Sequence, residues 1–167
     1  MIKSLVKSAN SRRYLIVFSL ILSTFLYGCG QKVEENGGSS ILNIPNTNYY
    51  TYLFVQGVDE HGAASEGENI YDGKKVEQFI SKVDKMEVVK PSSKEIDLKN
   101  KELNQEGNYI FALSDSDELE NNVYYMTFFK DGSIYFQYPD KNVLAYISKE
   151  KNPKLLEEVK VLLDIDF

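Results

Sequence analysis

Cysteine and histidine are almost absent, one of each in 167 residues, and there is no tryptophan. A single Cys excludes an intramolecular disulfide, and with one His it excludes a zinc site built from Cys and His alone. Only 4 prolines and 10 glycines are present, too few for a collagen-like or proline-rich chain. Positive charge is also short: 19 Lys and Arg face 25 Asp and Glu, a net charge of −6. Nucleic-acid binding wants a basic face, so it is not expected. No G-x-S-x-G, H-E-x-x-H or phosphate-loop pattern occurs. What remains is 43% apolar and 26% charged residues, the balance of a chain that buries a core, at a length for one domain.

The basic residues Lys3, Lys7, Arg12 and Arg13 stand before an apolar run from Tyr14 to Tyr27, with no acidic residue among them. That run falls short of the roughly 20 residues a membrane-spanning helix needs and fits a secretion signal over 1–28. Leu26-Tyr27-Gly28-Cys29 closes it. This resembles the lipobox of bacterial lipoproteins, and the resemblance implies cleavage before Cys29, which becomes the new N-terminus and carries a diacylglyceryl group on its thiol, with palmitate as the expected acyl chain. No cofactor is implied. Two acyl chains anchor stably where one does not, so the membrane becomes a partner, at its extracytoplasmic face. Loss of residues 1–28 removes four basic residues and no acidic one, taking the net charge from −6 to −10. Every remaining basic residue is then Lys, a composition pointing to a Gram-positive source such as a bacillus.

Residues 29–48 read as the lipidated Cys and a flexible tether, with Gly-Gly-Ser-Ser at 37–40 and Ile-Pro-Asn-Thr-Asn at 44–48. A coil of that length has an r.m.s. span of roughly 25 Å. Residues 49–167 read as a single α+β domain. Strands are expected over Tyr49–Val58, Met86–Lys90, Asn108–Ser114, Val123–Lys130, Ser133–Tyr138 and Val143–Ser148, from their aromatic and β-branched content. Asp72 caps a helix whose apolar stripe is Val76, Phe79, Ile80 and Val83, and Asn152-Pro153 opens a second with Leu155, Leu156, Val159, Leu162 and Leu163. Asp59–Asp72 is expected as a loop, and Ser92–Gln105 is charged and ambiguous between classes, with Ile96 and Leu98 alternating as in a short edge strand. The expected architecture is an antiparallel β-meander packed against two helices. The segment from GNYIFAL through YYMTFFKDGSIYF and AYIS to LLEEVKVLL is similar to small uncharacterised lipoproteins of bacilli, a resemblance that implies no activity.

Candidates for chemistry are few. Ser148-x-x-Lys151 lacks the partner motifs of a serine acyl enzyme. His61 sits among Asp59, Glu60 and Gly62, in a solvated loop. Two acidic runs, Asp59–Asp72 and Asp115–Glu120, do not match a calcium loop. No metal ligand set and no catalytic residue is assigned, and the expected activity is binding rather than catalysis. The alternatives are a small cell-envelope hydrolase, a glycan-binding module using the acidic loops, or an inhibitor of the immunity type.

Tyrosine is the feature to follow, since one ring offers an apolar body and a polar tip. Asp131-Gly132 between aromatic runs signals a two-residue hairpin turn of type I′. That turn would pair Phe129 with Ile134 and Phe128 with Tyr135. Val123, Tyr125, Thr127, Phe129, Ile134, Phe136 and Tyr138 would then lie under the helices. Tyr124, Met126, Phe128 and Tyr135 would share the other face, partly exposed, and form the site for a protein or peptide partner.

Overall fold

The computed structural model describes residues 38–65, 67–120, 122–137 and 144–166. The proposed signal peptide, Cys29, Tyr138 and Val143 lie outside them. The described chain forms one eight-stranded sheet in the order β1–β4–β8–β7–β6–β5–β2–β3. The strands are β1 (Ser40–Ile41), β2 (Tyr52–Gly57), β3 (Glu68–Ile70), β4 (Glu87–Val89), β5 (Tyr109–Ser114), β6 (Tyr124–Phe128), β7 (Ile134–Gln137) and β8 (Leu144–Ser148), and every neighbouring pair is antiparallel. Three helices complete an α+β fold: α1 (Gly73–Val83), α2 (Ser93–Glu102) and α3 (Pro153–Leu163). No helix among the described residues is long and apolar enough to cross a membrane.

Helices α1 and α3 form as their sequences dictate. The Asp72 carboxylate accepts from Lys74 N–H at 2.9 Å and Lys75 N–H at 3.4 Å, satisfying donors that a helix start leaves open. Asn152 caps α3 through Leu155 N–H at 3.3 Å, with Pro153 in the first turn. The chain leaves α3 through Asp164 at φ 59°, Ile165 N–H returns to Lys160 C=O at 3.0 Å, and the Ile165 side chain is buried. Both helices lay their stripes on one sheet face, where Val76, Phe79, Val83, Leu156 and Val159 join Leu53, Val55, Phe111, Leu113, Met126, Phe128, Ile134 and Phe136 in one core. Phe79 stacks on Phe111, centroids 5.1 Å apart.

Two expectations are corrected and one ambiguous segment takes a definite form. Residues Ser92–Gln105, whose alternation resembles an edge strand, are mainly helical: Ser92 caps α2 by accepting from Glu95 N–H at 3.3 Å. The helix lies on the face opposite α1 and α3, where Tyr135 Oη donates to Glu95 C=O at 3.4 Å and Phe129, Tyr135 and Ile147 form a second cluster with Leu103. Residues 40–44 are not tether. Leu42 N–H bonds Met86 C=O at 2.8 Å, Lys85 N–H bonds Leu42 C=O at 3.1 Å, and Leu42 and Ile44 are buried in the main core. The Asp59–Asp72 loop contains the short edge strand β3, because Asn69 and Ile70 pair with Phe54 and Leu53.

The hairpin register also differs. Phe128 pairs with Ile134, Thr127 with Tyr135 and Met126 with Phe136. Phe129 N–H bonds Ser133 C=O at 2.9 Å and Gly132 N–H bonds Phe129 C=O at 2.8 Å, so Lys130, Asp131 and Gly132 form a three-residue loop. Gly132 has φ 85°, while Asp131 is not among the positive-φ residues. That is a tight turn followed by a left-handed residue, not a type I′ turn. Since side chains alternate, a register shifted by one residue reassigns one strand's faces.

Candidate functional site

The four residues nominated for a partner site do not share an exposed face. Tyr124, Met126 and Phe128 belong to the main core beneath α1 and α3. Tyr135, 1% exposed, lies on the opposite face beneath α2. The three-residue loop causes this split: it places Tyr135 opposite Thr127 rather than Phe128. Burial, with the charges of Glu95, Glu102 and Asp131 nearby, pushes the Tyr135 phenol well above its ordinary range.

The face carrying Tyr135 has a second, more open part. Phe54 pairs with Ala112, and Ala112 with Tyr125, so these three form one row across β2, β5 and β6. Ile110 sits on the same face in the next row, between Gln56 and Thr127. Phe54, Ile110 and Tyr125 are half-buried, and Ala112 between the two rings is 0% exposed. None of the three large side chains belongs to either apolar cluster. The Phe54 ring lies over Gly67, where an added Cβ would stand 2.3 Å from it. At the upper margin Tyr52 and Tyr71 meet with centroids 5.3 Å apart, Tyr52 bonds Asn69, and Tyr71 Oη lies 3.2 Å from Asp117 Oδ2. Burial, followed by Tyr71 and Asp117, raises the Tyr52 phenol. The arrangement is an aromatic area with the Asn69 amide and the Tyr71–Asp117 contact at its rim.

The remaining sequence candidates have structural roles. Asp59 Oδ1 accepts from His61 N–H and Ala63 N–H, each at 2.9 Å, closing its loop. His61 is largely exposed, 3.5 Å from Glu60. Ser148 Oγ accepts from Ile134 N–H at 3.0 Å, and Lys151 pairs with Asp131 at 2.7 Å, so the two are turned to different partners. Among the described residues, no group of three or more His, Cys, Asp or Glu converges for a metal ion.

A smaller cleft of about 210 Å³ lies between residues 40–45 and the sheet, lined by Leu42, Asn43, Val88, Tyr124, Gln137 and Tyr146. The sequence reading missed Phe54 and Ile110, and it placed Tyr125 under the helices. A three-residue reading of Lys130-Asp131-Gly132 would have moved Tyr125 to the open face.

Comparison with protein-family models, with curated proteins and with solved structures returns no match.

Proposed function

We propose that the chain is an extracytoplasmic lipoprotein, anchored through a diacylglyceryl group on Cys29, whose α+β domain captures a protein or peptide partner on the sheet face around Tyr125. The anchor rests on Leu26-Tyr27-Gly28-Cys29 at the end of a short apolar run behind four basic residues. The binding role rests on one observation: two aromatic rings in one row and an isoleucine in the next stay half-buried on a sheet face whose other end is covered by α2. Aromatic side chains at such positions are the usual carriers of partner affinity.

Metabolic labelling with palmitate tests the anchor. Wild-type protein takes up label and stays with the membrane. Cys29→Ala abolishes label and leaves uncut precursor or released protein. A substituted protein that is processed and anchored like the wild type overturns the reading. For the face, a photo-crosslinker at Ile110 should trap one partner in intact cells, and the same group at Val161, exposed on α3, should not. Equal trapping at both positions removes the face from consideration.

A further inference from the structure

The groove between α3 and the turn before β5 gathers three lysines in a chain of net charge −6. It has a volume of about 450 Å³, within the range of small-molecule sites, and Tyr109, Lys130, Lys154, Leu156, Glu157 and Lys160 line it. Lys75, Lys82, Lys85, Lys99, Lys149 and Lys151 each pair with a carboxylate. Lys130, Lys154 and Lys160 form no ion pair among the described residues, and one carboxylate, Glu157, lines the groove with them.

The groove is built rather than incidental. Lys160 Nζ donates to Tyr109 Oη at 2.8 Å and stands 4.9 Å over the Tyr109 ring, which fixes one ammonium on a buried aromatic. On the other wall Gly107 has φ 86°, and an added Cβ would stand 3.3 Å from Lys130 Cδ, so a bare backbone leaves room for the Lys130 stem. The Lys130 backbone is held there by its N–H on Asn108 Oδ1 at 2.9 Å, and Asn108 is itself buried. Leu156 supplies an apolar wall.

We propose that this groove binds the phosphate group of an organic phosphate ester. Ammonium groups act as point charges, and three around one cavity match an anion carrying more than one negative charge. The volume exceeds a bare phosphate and leaves room for the alcohol it is esterified to, against Leu156. A nucleic-acid duplex is a poor occupant, because its dense charge would meet the surrounding acidic surface. The phosphate could be carried by a soluble ester or by a lipid headgroup. The inference does not depend on lipidation at Cys29.

The test is calorimetric titration of the purified full-length chain at low ionic strength with glycerol 3-phosphate, with glycerol, and with monomeric dihexanoyl-phosphatidic acid, a lipid whose phosphate is likewise a monoester. Saturable binding of glycerol 3-phosphate but not glycerol is expected, weakening as salt rises. Lys130→Gln with Lys154→Gln should reduce affinity at least roughly tenfold. Both side chains are exposed, so melting should be unchanged and the loss attributable to the groove. Tighter binding of the dihexanoyl lipid than of the soluble ester identifies a headgroup as the source, and the reverse order identifies a soluble ester. Absence of saturable binding by either phosphate probe overturns the proposal, as does binding that survives intact in the double variant.

Discussion

Lys99 Nζ lies 2.8 Å from Asp131 Oδ2, joining α2 to the β6–β7 loop across 32 residues of sequence. The ammonium is buried with its stem, 2.8 Å from Glu102 and 4.4 Å from the centre of the Phe129 ring. Asp131 also accepts from Lys151 at 2.7 Å and from Ser133 N–H and Oγ at 3.0 and 2.6 Å. One carboxylate thus ties α2, the hairpin loop and the approach to α3. Burial acts upward on its pKa, but the bonds from Lys151, Lys99 and Ser133 outweigh it and hold the carboxyl well below the usual range. Burial likewise pulls the Lys99 ammonium down, and Asp131 and Glu102 raise it overall.

Asp131→Asn should cost about 1–3 kcal/mol at neutral pH by chemical denaturation, since it leaves Lys99 buried without its nearest loop counter-charge. The figure is set below that of a fully buried pair because the Asp131 side chain is 34% exposed. The pH dependence has a definite sign. A carboxyl depressed in the folded state stabilises fully above its unfolded value of about 3.9, and that contribution fades as pH falls toward the folded value. The wild type should therefore lose stability on acidification below about pH 4 more steeply than Asp131→Asn. Parallel acid limbs would show that the network contributes nothing.

Tyr135→Ala should destabilise by about 3–5 kcal/mol, as removal of a buried aromatic does. Its ring meets Phe129 edge-on at 5.3 Å. Tyr125→Ala, one row away on the same face, should cost about 1 kcal/mol or less and should instead weaken partner capture. A large stability loss at Tyr125 would mean that the open face is core.

Leu42→Ala should cost about 2–4 kcal/mol. Removing residues through 48 should lower the melting temperature by well over 5 °C, because Leu42 and Ile44 leave the core and β4 loses its outer neighbour. Equal melting of chains with and without this segment would return it to the tether.

Gly132→Ala should cost about 2 kcal/mol or more. An added Cβ would stand 2.4 Å from Pro153 N and 2.8 Å from Asn152 C, both backbone atoms, at a φ of 85°. Gly132 C=O also accepts from Asn152 N–H at 2.8 Å, so strain there should reach the start of α3. Slower amide exchange at Leu155 in Gly132→Ala than in wild type would contradict this.

The parts legible in the sequence were those decided locally. Asp72 and Asn152-Pro153 announce α1 and α3 because a capping side chain and an apolar stripe act within one helix. The hairpin itself was legible from Asp131-Gly132, but its loop length was not. Two- and three-residue loops accept the same dipeptide, and the choice follows from contacts distant in sequence: Lys99 and Lys151 on Asp131, and Pro153 against Gly132. That single residue of register carried the candidate site from Tyr124, Met126 and Phe128 to Tyr125. Helix α2 was hidden for another reason. Its one buried residue is Lys99, a charged residue whose aliphatic stem does the packing, while Leu98 is half exposed. Residues 40–44 were hidden by brevity, since two buried side chains after Gly-Gly-Ser-Ser carry no periodicity.

The sheet tapers at both margins, to two residues in β1 and three in β3 among the described residues. A second molecule extending the ladder would find two or three backbone positions to grip, too few to offset the ordering of its own strand. At β3 it would also meet the Glu68 carboxylate, and at β1 the charged Glu87–Lys149 pair one strand in. Fibre growth by edge pairing is thereby discouraged even at high local density, where a sheet ending on the six-residue β2 would offer a longer edge to pair with.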